Sequence, residues 1–385
     1  MPPFKQRITD ALDERLSQGL YRQRTCLERE QRHIVSDNNA YLNFSSNDYL
    51  GLAQSPELIE AWQQGLARFG TGSGASPLVT GYHAVHREFE TMLAQWLGYE
   101  RALLFSSGFS ANQALLFSLL QKGDYLLQDK LNHASLMEAG MLSGATMRRF
   151  AHNDSHSLSA LLDKLPSDAH KLVVTEGVFS MDGDLAPLED LQSLCQRSGS
   201  MLVVDDAHGC GVLGEAGRGS SANAGIVPDI IVVTFGKAFG LQGAAILCDH
   251  DVAEYLVQFA RHYIYSTSIP PAQAYALSKA CQLIQQQQWR RDKLAELDEL
   301  LIDRLDPAIR LMATSTPIKP LLVGESDRAL QISAALREKG LWVSAIRPPT
   351  VPVHSARLRI TLTASHQQDE IKQLAEAINE VFYRE

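Results

Sequence analysis

Cysteine is scarce in this 385-residue chain: its five copies, Cys26, Cys195, Cys210, Cys248 and Cys281, stand apart with no CxxC spacing. An odd number of isolated thiols excludes a disulfide framework and a thiolate zinc site, and it fits a reducing compartment. Long apolar runs are missing as well, since none approaches the roughly 18 residues that a membrane span needs. Positive charge is in the minority, with 35 Lys+Arg against 44 Asp+Glu and a formal net charge of −9, and no basic run occurs. Nucleic acid and anionic membrane surfaces are therefore poor partners. The opening stretch MPPFKQRITDALDERLSQGL is too charged for the apolar centre of a secretion signal, so the expected location is the cytoplasm. No internal repeat or biased segment is visible.

What is present is a globular balance, 45% hydrophobic and 21% charged, in a chain long enough to bury a large core. Ile8, Leu12, Leu16 and Leu20 recur every four residues and draw an apolar stripe along a helix; Val85, Phe89, Met92 and Trp96 mark a second. LNFSSNDYL (42–50) reads as a short strand and a turn. From residue 101, apolar runs alternate with helical stretches: ALLF (102–105), YLLQ (125–128), KLVVTE (171–176), MLVVDD (201–206), DIIVVTF (229–235) and AAILC (244–248). Runs this apolar suit strands covered on both faces, and the helices between them suit parallel crossovers. The expected fold class is α/β. A large domain with a mostly parallel sheet spans 49–288, after an N-terminal helix and strand segment (1–48) and before a smaller α+β domain (289–385). One long helix is predicted from Gln285 through WRRDKLAELDELLIDRL. Strands around PLLVG and RLRITLTA, with helices over 329–339 and 369–383, complete the smaller domain.

Ligands of parallel α/β sheets sit outside the carboxyl ends of the strands. The polar residues that follow the apolar runs, at 106–109, 176–180, 205–208 and 234–237, are therefore expected to converge on one crevice. Lys237 lies in TFGKAFG, just past a buried strand. There a lysine is either a desolvated amine, reactive toward a carbonyl, or a solvated loop residue. Asp205 ends another strand and needs a cationic partner, which a pyridinium nitrogen, an arginine or a helix N-terminus can supply. His133, in LNHASL, either stacks on a ring or caps a helix. The turn at 107–112 leads into an apolar helix whose first amides favour a phosphate. Together these features describe an aldehyde cofactor with a phosphate at one end and a protonated ring nitrogen at the other, which pyridoxal 5′-phosphate (PLP) fits.

Other patterns carry less. GCGVLG (209–214) has the GxGxxG spacing, but the residues that follow are too glycine-rich for the helix a dinucleotide site requires. His83 with His86, and His152 with His156, are spaced for zinc but lack the HExxH glutamate; they read as exposed helix histidines, and no metal is expected.

Seven blocks, in order, resemble the α-oxoamine synthases, PLP enzymes of aminotransferase fold type I: NFSSNDYLGL (43–52), SSGFSANQA (106–114), VVTEGVFSMDGDLAPL (173–188), VVDDAHGCGVLGE (203–215), VVTFGKAFG (232–240), YIYSTSIPPA (263–272) and IRPPTVP (346–352). The resemblance covers nearly the whole chain. It implies that Lys237 bonds covalently to the cofactor aldehyde, that Asp205 faces the ring nitrogen, and that His208 faces the phenolic oxygen. It also implies that His133 stacks over the ring and that Gly108 and Phe109 hold the phosphate through their amides. Ser180 and Thr234 would bond cofactor oxygens, and Glu176 and Asn47 would line the site. Ser266 and Thr267 would reach the phosphate in the neighbouring subunit, which makes the protein a homodimer with shared sites. Arg359 matches the receiver of the amino acid carboxylate, and Arg22 and Thr350 match substrate contacts.

The implied activity is decarboxylative condensation of an amino acid with an acyl thioester. IRPPTVP resembles most the members that join L-alanine to a pimeloyl group carried by coenzyme A or an acyl carrier protein. A glycine-using acyltransferase and a non-catalytic PLP-binding homologue are the other readings. An acidic carrier protein calls for a basic patch, to which Arg22, Arg24, Arg261 and Arg347 can contribute. Two departures from the family pattern stand out: Gly74-Ala75-Ser76-Pro77 replaces a common Gly-Gly-Ser/Thr-Arg, and Phe109 replaces a common tyrosine.

Overall fold

Fourteen strands in three sheets make up the β-structure of the computed structural model, which describes residues 2–30 and 32–383. An N-terminal ribbon comprises Glu28–Glu30 (β1), His33–Ser36 (β2) and Asn39–Asn43 (β3), all antiparallel. Asp37 and Asn38 form the two-residue turn between β2 and β3 and both take positive φ, 50° and 63°, the conformation that such a hairpin turn needs.

The large sheet contains Arg101–Phe105 (β4), Tyr125–Asp129 (β5), Thr146–Phe150 (β6), Lys171–Glu176 (β7), Met201–Asp205 (β8), Ile230–Thr234 (β9) and Ala244–Cys248 (β10). Their order is β4-β10-β9-β8-β7-β5-β6. Only β10 runs against its neighbours; the remaining pairs are parallel. All six predicted apolar runs are strands of this sheet. Their side chains alternate between two cores: Leu104, Ile231, Val233 and Ala245 pack on one face, and Leu103, Ile230, Val232 and Ala244 on the other. Burial on both faces is why these strands are continuously apolar. The seventh strand, β6 (TMRRF), escapes that rule: β4 and β6 are both edge strands, but β4 is covered by helices and buried, while Thr146, Arg148 and Arg149 of β6 stay exposed.

Four further strands follow: Ile318–Gly324 (β11), Leu341–Trp342 (β12), Ser344–Ile346 (β13) and Ala356–Thr361 (β14). β11, β14 and β13 form an antiparallel sheet, while β12 pairs with β3 in parallel through Leu341↔Leu42 and Trp342↔Asn43. The N-terminal ribbon and the C-terminal segment thus share a sheet. The helices Ser326–Glu338 and Gln368–Phe382 lie where the sequence places them.

Two expectations change. The long helix predicted from Gln285 is two helices, Pro271–Gln286 and Trp289–Arg304, with Gln287 non-helical between them (φ −99°, ψ 65°). Arg290 and Arg291 hold the break by donating to the carbonyls of Leu50 and Ile284, both at 2.7 Å, and to the side chains of Gln287 and Gln288. The N-terminal helix, Pro3–Ser17, stops short of Leu20, and Ile8, Leu12 and Leu16 are exposed along it. Among the described residues no helix is long and apolar enough to cross a membrane.

Candidate active site

The carboxyl ends of β4, β7, β8 and β9 and the loop after β5 open onto a cavity of about 280 Å³. After β4 the chain turns directly into the helix Gly108–Leu119. Ser107 caps that helix: its Oγ accepts from the Ser110 amide at 3.1 Å, and Ser110 Oγ accepts from the Ser107 amide at 3.2 Å. Gly108 and Phe109 occupy the first turn, where amides have no intrahelical acceptor, and both line the cavity. Glycine is required at 108 because an added Cβ would lie 2.5 Å from Cγ2 of Thr234, at the end of β9.

Asp205 closes β8 and is buried. Its Oδ2 accepts from Asn112 Nδ2 at 2.7 Å and its Oδ1 from the Ala207 amide at 3.0 Å. The Asn112 amide also donates to Ser135 Oγ at 3.0 Å, and that hydroxyl meets His133 Nδ1 at 2.8 Å. One helix side chain therefore ties the Asp205 carboxylate to His133. Glu176, at the end of β7, is buried with Oε1 unpaired; burial, then the Asp205 charge, push its carboxyl well above the usual range.

Lys237 lies three residues past β9. Burial pushes its amine down to about 8, with the Arg359 charge acting the same way and Asp205 and Glu176 opposing. At that value roughly a tenth of the amine is neutral at pH 7, against a negligible fraction for an ordinary lysine. His208 is buried, with Nδ1 2.5 Å from the Tyr49 hydroxyl. Burial foremost, then the charges of Lys237 and Arg359, push the imidazole well below its usual range. Burial pushes the Tyr49 phenol up to about 12, so it keeps its proton.

Arg359, on β14, is buried. Its Nε donates to the Ser180 carbonyl at 2.7 Å, and Nη1 and Nη2 reach Asn47 Oδ1 at 3.2 and 3.3 Å. Among the described residues no carboxylate lies within ion-pair distance of it, so its charge is free to receive one.

Nine sequence-predicted residues line the cavity: Asn47, Gly108, Phe109, His133, Glu176, Asp205, His208, Thr234 and Lys237. Arg359 stands behind Asn47, and Ser180 contributes its carbonyl to Arg359. Ser266 and Thr267 are not brought to this cavity within one chain. Ser266 instead borders a separate hollow of about 520 Å³ beside the exposed rings of Phe117, Phe259 and Tyr265. Arg22 and Thr350 are exposed and outside the lining. Asn112, Ser135 and Tyr49 were not predicted. Asn112 and Ser135 lie inside the quoted turns 107–112 and LNHASL, yet nothing in spacing says where their side chains point. Three predicted exposed helix histidines are corrected: His83 is half-buried, at the N-cap of the helix Ala84–Leu97. His86 is buried, with Nδ1 accepting from the His83 amide and Nε2 against the Ile269 carbonyl at 2.8 Å. His152 sits between two carboxylates in the turn before the helix Ser155–Leu162.

The sequence model described as aminotransferase class I and II matches residues 39–378. The chain belongs to the aminotransferase class I and II family. Within this family it is 62% identical to the 8-amino-7-oxononanoate synthase of Photobacterium profundum, a match covering 98% of this chain and 97% of that protein. It is 60% identical to the protein of the same name from Vibrio cholerae serotype O1, over 99% of each. Among solved structures, a serine palmitoyltransferase from S. paucimobilis with a bound PLP–myriocin aldimine superposes with a TM-score of 0.90, at 28% identity over 98% of both chains. An 8-amino-7-oxononanoate synthase from Francisella tularensis superposes with a TM-score of 0.76, at 33% identity over 89% of this chain and 98% of that one. Membership of the class I and II family agrees with the fold-type I resemblance carried by the seven sequence blocks.

Proposed function

We propose that the protein catalyses the 8-amino-7-oxononanoate synthase reaction: L-alanine and a pimeloyl thioester give 8-amino-7-oxononanoate, carbon dioxide and free thiol, with PLP as cofactor. The observation that carries this reading is the convergence of the Lys237 amine, the Asp205 carboxylate and the Gly108 helix start on one cavity. The relatives at 62% and 60% identity, over nearly the whole chain, support the choice of substrates.

The donor set suits PLP at each end: a desolvated amine for the aldehyde, a carboxylate for the ring nitrogen, and unbonded first-turn amides for the phosphate. When bound, PLP supplies an electrophilic carbonyl and an electron-withdrawing ring that stabilises negative charge on the amino acid's α-carbon. Asp205, its oxygens already oriented by Asn112 and the Ala207 amide, would hold the ring nitrogen and favour its protonated form. His208 would hydrogen-bond the phenolic oxygen. Thr234 and Ser180 would bond cofactor oxygens, and Glu176 borders the site. Arg359 would receive the alanine carboxylate, with Asn47 beside it; the proposed substrate contacts Arg22 and Thr350 lie outside this lining. Lys237 Nζ removes the α-proton, which its lowered pKa permits near neutral pH. The α-carbon then bonds the thioester carbonyl carbon, the C–S bond breaks and the sulfur leaves as thiolate with its electron pair, the carboxylate departs as carbon dioxide leaving its pair on the α-carbon, and the proton held on Lys237 Nζ returns to that carbon. His133 would cover the ring and lend a proton to the acyl oxygen, taking it back as the ketone re-forms. Ser266 and Thr267 serve the phosphate of a second subunit in a homodimer.

PLP-loaded protein given L-alanine and pimeloyl-CoA, or pimeloyl acyl carrier protein, is expected to release thiol and carbon dioxide in equal amounts. Borohydride is expected to fix the cofactor's mass on Lys237. Thiol release with glycine or serine but not alanine would replace this reaction by another of the same class; no adduct on Lys237 would remove its role.

A further inference from the structure

We infer that His152 is a positioning residue: held between Asp129 and Asp184, it fixes the loop that carries His133 to the loop that anchors Arg359. The inference rests on the roles proposed above for those two residues.

Asp129 ends β5, four residues before His133, and is fully buried. Its Oδ1 accepts from the Leu131 amide at 2.8 Å and from His152 Nδ1 at 3.0 Å; its Oδ2 accepts from the Asn153 amide at 2.8 Å. Asp184 belongs to the loop after β7. Its Oδ2 accepts from His152 Nε2 at 2.7 Å and from Asn153 Nδ2 at 2.6 Å. That loop turns between Val178 and Leu185, which form an isolated bridge, and it presents the Ser180 carbonyl to Arg359 Nε at 2.7 Å. The Phe179 ring packs edge-on against the imidazole, with centroids 4.4 Å apart. His152 does not line the cavity.

A neutral imidazole has one N–H and can satisfy one carboxylate. Here both ring nitrogens face carboxylate oxygens, so the geometry requires the imidazolium. Burial works against that charge, but the hydrogen bonds and charges of Asp129 and Asp184, the charged groups facing the ring, outweigh it and push the imidazole up to about 9. A histidine whose folded pKa is raised holds its contacts below its ordinary pKa and loses them as pH climbs through the folded value. The clamp is therefore closed at neutral pH and opens through about pH 9.

The test uses the PLP-loaded full chain and reads L-alanine affinity from the cofactor's visible absorbance, from neutral pH to well above the His152 pKa. Wild type is expected to bind alanine more weakly as pH passes about 9. Glutamine carries no charge and cannot bridge two carboxylates as a double donor in the ring's geometry. His152→Gln is therefore expected to bind alanine about tenfold more weakly at neutral pH, the scale of a small displacement of a binding group, and to lack that alkaline step. Asp184→Asn leaves the imidazolium one carboxylate, so its step moves to lower pH; it also serves as the test should His152→Gln fail to fold. Wild-type affinity and an unshifted alkaline step in both variants would overturn the assignment, as would a weakened His152→Gln that keeps the wild-type step. Thiol release is scored separately: its absence in wild type would remove the proposed condensation while the alanine titration still decides the clamp.

Discussion

Gly108 and Thr234 come from different strand ends, and their contact decides how closely the first turn of the helix Gly108–Leu119 approaches β9. A methyl at 108 meets Cγ2 of Thr234 at 2.5 Å, a distance at which something must move. Alanine's better helix propensity is worth at most about 1 kcal/mol there, against about 1–3 kcal/mol for overpacking, so sterics win. Gly108→Ala is expected to lower the melting temperature and weaken PLP binding. Adding Thr234→Ser, which keeps the hydroxyl but removes Cγ2, is expected to restore both, as checked by thermal melting and PLP titration. A double variant no better than the single would sink the steric account. At this scale the sequence was legible where a residue's place implies its role. Lys237 and Asp205 follow apolar strands and so had to lie at a sheet's carboxyl edge. Asn112, Ser135 and Tyr49 were not legible, because hydrogen bonds from a helix, a second helix start and the N-terminal segment meet only in three dimensions. His152 was visible only as half of a spaced pair with His156; its real partners lie 23 and 32 residues away.

The helix Ala84–Leu97 lies against the sheet and buries an acid among its apolar residues. Tyr82 donates to Glu90 Oε2 at 2.6 Å, yet burial still pushes the Glu90 carboxyl up from 4.5 to about 7. A carboxyl raised on folding favours the folded state while it stays protonated and costs stability as pH rises through the folded value. Glu90→Gln, which keeps an oxygen for Tyr82, is therefore expected to match wild type in acid and to exceed it at alkaline pH, by up to about 3 kcal/mol at the linkage rate of about 1.36 kcal/mol per unit. Melting curves across that range check it; a variant less stable than wild type at alkaline pH would mean that the charged form is paired after all. Elements were readable where burial forces a pattern. The six apolar strands, the edge strand β4 among them, read correctly because helices cover them, while β6 did not, since its Thr146, Arg148 and Arg149 stay in solvent. The break after Gln286 was also unreadable: glutamine is a good helix former, and the cause lies in the guanidiniums of Arg290 and Arg291 reaching the carbonyls of Leu50 and Ile284.

At the scale of the molecule, one chain leaves two proposed phosphate contacts stranded. Ser266 and Thr267 follow the helix Arg261–Ile264, which packs on Gly108–Leu119, but neither lines the cavity that this helix start helps to form. Around them Phe117, Phe259 and Tyr265 are exposed, Tyr265 by 75%. Large apolar side chains gathered beside a polar cleft mark a surface that a partner covers. A second copy is the partner that would supply the missing contacts, through a two-fold interface that carries each Ser266–Thr267 pair to the other subunit's cavity. Mixing inactive variants tests this directly. In a dimer of Lys237→Ala with a Ser266→Ala/Thr267→Ala chain, shared sites place both lesions in one cavity and leave the other native. Refolded mixtures are then expected to regain activity that neither parent has, with each hybrid carrying one working site. If the residues instead act within their own chain, every cavity of the hybrid keeps one lesion and mixing restores nothing, which would rule out the shared site.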